Sequence, residues 1–125
     1  MSFAHLNIFD SSTLNSLLQV RKGEHRLGQR VRLLDRKVED LPALVKKGVR
    51  FAILGIPECI GPLGNGGKAC AENAFRAFLP YLLNVQSNRF LDGKELVLLG
   101  EVDLVDLQTE ALQLDPNSDY YFQKL

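Results

Sequence analysis

Residues 49–77 constrain the fold more than any other stretch, because they run from a strand-length apolar segment through a glycine-rich loop into a helical pattern. Val49, Phe51, Ala52, Ile53, Leu54 and Ile56 form a nearly unbroken apolar run, too short and too β-prone for a buried helix. A continuous run, rather than an alternating one, predicts a strand covered on both faces, as in the parallel sheets of α/β proteins. Gly55 and Pro57 then release the chain from the sheet, and Gly61, Gly64, Gly66 and Gly67 follow within the loop. Ligands of open α/β sheets bind at that carboxyl edge, so the loop is the first place to look for function.

On either side of the loop the pattern is helical. Asp40 is a plausible N-cap for a short helix carrying Leu41, Leu44 and Val45, with Lys46 and Lys47 in its last turn and Gly48 just beyond. Ala71, Ala74, Phe75, Phe78 and Leu79 recur at helical spacing, which predicts a helix laying an aromatic face on the sheet until Pro80 ends or kinks it. Residues 82–90 read as a second short amphipathic piece, Asp92-Gly93 as a turn, and residues 96–99 as a second strand. Strand, helix and strand in that order predict a βαβ unit with parallel strands. Gly100, Glu101 and Asp103 then fall on the same edge as the glycine-rich loop.

The chain on either side of this unit is less regular. Residues 1–37 form an irregular segment in which Ser11, Ser12 or Thr13 caps a short helix carrying Leu14, Leu17 and Leu18. Five basic side chains between Arg21 and Arg30 offer an anion contact, although a solvated charge run is the plainer reading. Residues 38–103 hold the first helix and the βαβ unit. Residues 104–125 read as loop followed by the start of a helix capped by Asn117 or Ser118, with Tyr121, Phe122 and Leu125 on one side. A helix of about two turns with aromatics still uncovered, and two parallel strands with unpaired edges, point to one partial α/β domain. Its sheet is expected to be completed by the rest of a larger fold or by another chain.

A chain of 125 residues and 14.0 kDa, 46% hydrophobic, can bury one sizeable core. Fifteen basic and fifteen acidic residues cancel, so no overall field draws it to nucleic acid or to an anionic membrane. The N-terminal residues lack the basic and apolar regions of a signal peptide, and no apolar run approaches the roughly 20 residues that span a bilayer. A cytoplasmic location is therefore expected. Cys59 and Cys70 show neither zinc-site spacing nor a disulfide framework, and read as reduced thiols.

Tested against known chemistry, the loop excludes more than it admits. Gly64-Asn65-Gly66-Gly67-Lys68-Ala69 matches a dinucleotide fingerprint on paper, but Gly64 comes eight residues after Ile56 instead of directly after the strand. A phosphate-binding P-loop ending at Gly67-Lys68 needs glycine at 62 and Ser or Thr at 69, where Pro62 and Ala69 stand. His5 and His25 have no partner at metal-ligand spacing. Glu58 and Glu101, each following a strand, make a possible base or orienting pair, although such carboxylates more often bind loop amides or water.

The residues of the loop and its flanks carry a resemblance. Residues 51–58, Ile60-Gly61-Pro62, Asn65, Gly67-Lys68, residues 71–75, Phe78-Leu79, residues 84–88 and Leu99-Gly100-Glu101 resemble the opening third of formimidoylglutamases, members of the arginase and agmatinase (ureohydrolase) superfamily. Arg21-Lys22-Gly23-Glu24 and Leu27-Gly28 fit the same pattern, so the similarity spans nearly the whole chain.

The resemblance implies the N-terminal portion of a three-layer α/β/α fold around a mainly parallel sheet, incomplete in this chain. It implies hydrolysis of N-formimidoyl-glutamate to glutamate and formamide, in histidine breakdown, by a hydroxide held between two manganese ions at the carboxyl edge. The family's metal-ligand motifs lie downstream of Leu125, so no catalytic or metal residue is expected here and the chain alone is expected to be inactive. The substrate-side residues it implies are Glu58, Asn65, Gly67 and Lys68, with Lys68 as the cation for a carboxylate and Asn65 as a hydrogen-bond partner. Lys68 stands where the subgroup commonly has arginine and Cys70 where it often has glycine; lysine keeps the charge but loses the bidentate fork. The plainer alternative is that Asn65 stabilises the loop and Lys68 is solvated. The rival from another class is a non-enzymatic interaction module whose open sheet edge, with the face at residues 120–125, pairs with a partner or a second copy.

Overall fold

The computed structural model describes residues 5–34, 40–69 and 71–125; Cys70 and the expected boundary at residues 37 and 38 lie outside them. The fold is mixed α/β. Its sheet has four strands, β1 (Leu6–Ile8), β2 (Arg32–Leu33), β3 (Phe51–Gly55) and β4 (Leu96–Val102). The helices are α1 (Ser11–Leu17), α2 (Leu41–Lys46), α3 (Ile60–Gly64), α4 (Ala74–Leu83), α5 (Val105–Leu112) and α6 (Tyr121–Lys124). None of the described helices is long and apolar enough to cross a membrane.

The sheet is organised around β4. β3 runs parallel beside it from Phe51↔Leu96 to Gly55↔Glu101. β2 pairs parallel at Arg32↔Val97 and Leu33↔Leu98, and β1 antiparallel from Leu6↔Val102 to Ile8↔Gly100. A strand has two edges, and β3 covers one of them along nearly the whole of β4. β1 and β2 therefore share the other edge, end to end.

Alternation along β4 then sorts the core into two clusters. Leu96 and Leu98 pack with Leu14 of α1, Leu79 and Leu83 of α4, Phe9, Leu27 and Val31. Val97 and Leu99 pack on the opposite face with Leu34, Val49 and Leu44 of α2. Helices thus lie on both faces, and six successive residues of β4 are buried.

This reverses one expectation. The strand covered on both faces is β4, whereas β3 buries only Gly55 and half of Ile53, and Phe51, Leu54 and Ile56 are 55%, 41% and 61% exposed. Pairing with β4 occupies one edge of β3, and among the described residues nothing pairs with the other. An apolar run fixes that a segment is strand; its neighbours fix whether the strand is buried.

Other elements also differ from the sequence reading. The first segment is not irregular, since it supplies β1, α1 and β2, and the cap of α1 is Asp10, whose carboxylate accepts from Thr13 N at 2.7 Å. α4 runs three residues past Pro80, so the segment at 82–90 is no separate helix; proline removes one helical donor while the packing of Leu79 and Leu83 continues. Of the aromatic face of α4, Phe75 turns inward over Gly55, where a Cβ would collide with its ring, while Phe78 faces solvent. The expected loop after Asp103 contains α5. The last helix begins at Tyr121 and is capped by Tyr120 instead of Asn117 or Ser118, with Tyr121 buried and Phe122 outward instead of on the same side.

The capping expected for α2 holds: Asp40 accepts from Ala43 N at 2.8 Å, and Gly48 sits at φ +91° just past the end. Of its expected apolar stripe Leu44 is buried but Val45 is 64% exposed, and Lys47 caps the helix instead of lying in its last turn. Asp92 caps the 3-10 turn Gly93–Glu95 that leads into β4. The motif at 84–88 serves as a structural joint. Asn84 Oδ1 accepts from Gln19 N at 2.6 Å, and its Nδ2 donates to Leu17 O and Pro80 O at 2.8 and 2.7 Å, locking α1 to α4. Leu27 N and Ser87 N then tie residues 25–27 to the same strip, donating to Val85 O at 2.7 Å and His25 O at 2.8 Å.

Candidate functional site

β2, β3 and β4 are parallel, so their carboxyl ends share one edge of the sheet, and the loop after Gly55 and the end of β4 meet there. The loop contains the short helix α3, begun by Glu58, whose Oε2 accepts from Gly61 N at 2.7 Å. It ends in a tight C-terminal closure. Gly66 N donates to Leu63 O at 2.9 Å, Gly67 N to Pro62 O at 2.8 Å, and Gly66 takes φ +73°. That is the Schellman pattern, with its glycine in the left-handed position.

The glycine run is therefore a helix cap, which explains why it fits no phosphate-binding template. The Gly67 amide is spent on Pro62, while the side chains of Asn65 and Lys68 stand exposed beside it on the same turn. Glu58 lies half-buried at the other end of α3, engaged with the loop amide. The structure thus brings Asn65, Gly67 and Lys68 together on one turn and gives Glu58 a loop-holding role.

Cys59, in the same loop between Glu58 and α3, is almost wholly buried. Burial pushes its thiol above the ordinary range, and the carboxylates of Glu72 and Glu58 push in the same direction. Oε2 of Glu72 is itself buried and has no hydrogen-bond partner among the described residues. The thiol is therefore protonated and shielded at neutral pH, the opposite of an activated nucleophile.

Glu101, the second carboxylate singled out from sequence, is 2% exposed and does not pair with Glu58. Arg76 of α4 holds it in a fork, with Nε 2.9 Å from both carboxylate oxygens and Nη2 2.5 Å from Oε2. The hydrogen bonds to Glu101, and then its charge, raise the Arg76 guanidinium above its usual value. A raised cation stabilises the fold below its unfolded value and is lost only as pH climbs through the folded one, so this pair holds across the whole neutral range.

The contact depends on an irregularity in β4. Ile53 pairs with Leu98 but Leu54 pairs with Gly100, so β4 carries one extra residue at this point. A one-residue slip switches side chains between faces. Without it Glu101 would follow Val97 and Leu99 toward α2; with it Glu101 meets Arg76 on the α4 side. Gly100 makes the slip possible, with φ +133° and its missing Cβ pressed against the Asn7 carbonyl of β1.

Arg76 was invisible to sequence reasoning, because its partner lies 25 residues away and reaches it only through the bulge. No group of three or more His, Cys, Asp or Glu among the described residues is placed to hold a metal ion. The donors present do not fit the two manganese ions that the resemblance implies, and no step is derived through them. No protein-family model, curated protein or solved structure matches this chain.

Proposed function

We propose that this chain is the front portion of a formimidoylglutamase-like ureohydrolase, and that it supplies the substrate-side rim of the site while the rest of the fold supplies the metal ligands. The observation that carries the reading is the turn holding Asn65 and Lys68. A parallel strand pair ends there, and a capped helix holds an exposed amide and an exposed cation at the carboxyl edge. In that reading Lys68 binds a substrate carboxylate as a point charge and Asn65 hydrogen-bonds it. Glu58 keeps the turn in place. Arg76 and Glu101 anchor the end of β4 beneath it.

The test is manganese-dependent release of formamide from N-formimidoyl-glutamate by the protein as its source cells make it. Lys68→Ala should raise KM about tenfold with little change in kcat, the loss of one charged hydrogen bond worth about 1.5 kcal/mol. Absence of hydrolysis with manganese in excess would overturn the reading.

The open edge of β3, with Phe51, Leu54 and Ile56 exposed beside it, favours a second reading, an interaction module that pairs this edge with a partner or another copy. Its signature is a mass that rises with protein concentration in a protein without hydrolase activity.

A further inference from the structure

The basic run between Arg21 and Arg30 folds into something more specific than a solvated strip. Arg26 leaves the run for a structural post, with Nη1 donating to Asn84 O at 2.7 Å and Nη2 lying 3.1 Å from Glu24. His25, Arg30 and Arg32 join Lys94, from the turn before β4, around a cavity of about 640 Å³ completed by Gln29, Val31 and Leu33. Among the described residues no acidic side chain lines it. β2 begins at Arg32 and β4 just after Lys94, so the cavity opens at the amino edge of the sheet, opposite the Asn65 and Lys68 turn.

Its walls are built. Leu27, which opens the 3-10 turn Leu27–Gln29, is fully buried, and Gly93 lets that turn touch the one at Gly93–Glu95: a Cβ there would sit 2.5 Å from Leu27 O and 2.8 Å from Arg30 Cβ. The Arg32 guanidinium is steered by two carbonyls, with Nε 3.3 Å from Lys94 O and Nη2 3.4 Å from Lys47 O. Arg30 lies 3.4 Å from Asp92, and that is the one acid paired with the lining cations among the described residues. Among the described residues, three permanent cations gather here with one paired carboxylate, in a chain whose total charge is zero. Like charges brought together raise the free energy of the fold unless a counter-charge joins them.

We propose that this cleft binds a small multivalent oxyanion, a phosphate- or polycarboxylate-bearing metabolite, through Arg30, Arg32 and Lys94. The inference is independent of the hydrolase reading. Two guanidiniums, each with donors left over from the contacts above, and an ammonium around one cavity suit clustered oxyanion oxygens, which accept several donors at once.

The experiment is a titration of the full-length protein with pyrophosphate and, separately, with citrate, at matched ionic strength, followed by amide chemical shifts. The expected result is saturable shifts centred on residues 29–33 and 93–95, with an affinity that falls as salt is added. Arg32→Gln and Lys94→Gln should each weaken binding about fivefold, the effect of removing one charge a few ångströms away in a solvent-rich cleft. Lys46→Gln, an exposed position on α2 outside the cleft, should leave it unchanged. Tighter pyrophosphate identifies a phosphate-bearing ligand, and tighter citrate a polycarboxylate. Two results overturn the proposal: shifts scattered over all basic surfaces, or both cleft variants binding within twofold of the unaltered protein while their spectra remain those of the folded chain.

Discussion

Gly100→Ala should be the most damaging small substitution in the chain, and its cost can be worked from the structure. The backbone at φ +133° is strained for any residue with a Cβ, at about 1–3 kcal/mol. The added methyl would overlap Asn7 O and lie 2.9 Å from Asn7 C and 3.0 Å from Ile8 Cα. These are backbone atoms of β1 and cannot rotate away, so relief requires β1 to retreat. That retreat loosens the bonds from Phe9 N to Leu99 O at 3.1 Å and from Asp103 N to His5 O at 2.8 Å, at about 1 kcal/mol each. The sum is about 3–5 kcal/mol, a large part of a typical domain's stability of roughly 5–15 kcal/mol. Urea unfolding of Gly100→Ala beside Gly64→Ala measures it, because Gly64 ends α3 with open space around its Cβ position and should tolerate alanine. Amide exchange should show β1 freed before α4. A loss below about 1 kcal/mol, or unchanged protection of Asn7 and Phe9, would refute both the bulge geometry and its role in turning Glu101 toward Arg76.

The other predictions are these. Asn84→Ala removes three side-chain hydrogen bonds, two joining the end of α4 to residues 17 and 19 and one closing α4 on Pro80 O, and should cost about 3 kcal/mol, read by the same unfolding curves. Arg76→Met leaves the Glu101 carboxylate buried without its fork and should cost about 1–3 kcal/mol, discounted because the Arg76 side chain is 68% exposed; a double-mutant cycle with Glu101→Gln should recover part of it. Because the folded Cys59 thiol titrates above its ordinary value of 9.0, stability should be intact below that pH and decline above it. Cys59→Ala should flatten that alkaline slope, and in a Cys70→Ser background a thiol reagent should label Cys59 only on unfolding. The carboxylate of Asp10 is held below the usual value, chiefly by its bond from Thr13 N, so its contribution to α1 should persist above pH 3.8 and fade as the pH drops below it.

Elements whose signals are local were legible in the sequence. Asp40 and Gly48 frame α2 because capping chemistry acts within a few residues, and the parallel pairing of β3 with β4 follows from the helix between them. The short strands were not legible: β1 and β2 have three and two residues, too few to show a period, and exist because β4 offers them an edge. α5 was legible, although its residues read as loop: Leu104, Leu107, Ala111 and Leu114 recur at helical spacing, and only Ala111 of the helix is buried. At the candidate site the glycines were visible, but their use as a helix cap required the hydrogen bonds of Gly66 and Gly67. The Arg76–Glu101 fork required the bulge at Gly100, which is a property of paired strands and not of either strand's own residues.

Both functional readings rest on the outer edge of β3 being occupied in the working protein, and amide hydrogen exchange on the protein as its source cells make it tests that directly. In a parallel strand alternate amides face opposite edges, so β4 alone can protect only half of those in Phe51–Gly55. The account predicts that every β3 amide exchanges as slowly as those at residues 97–99. If the alternate amides facing away from β4 exchange at the rate of unpaired backbone while β4 stays protected, the edge is open and the account is contradicted.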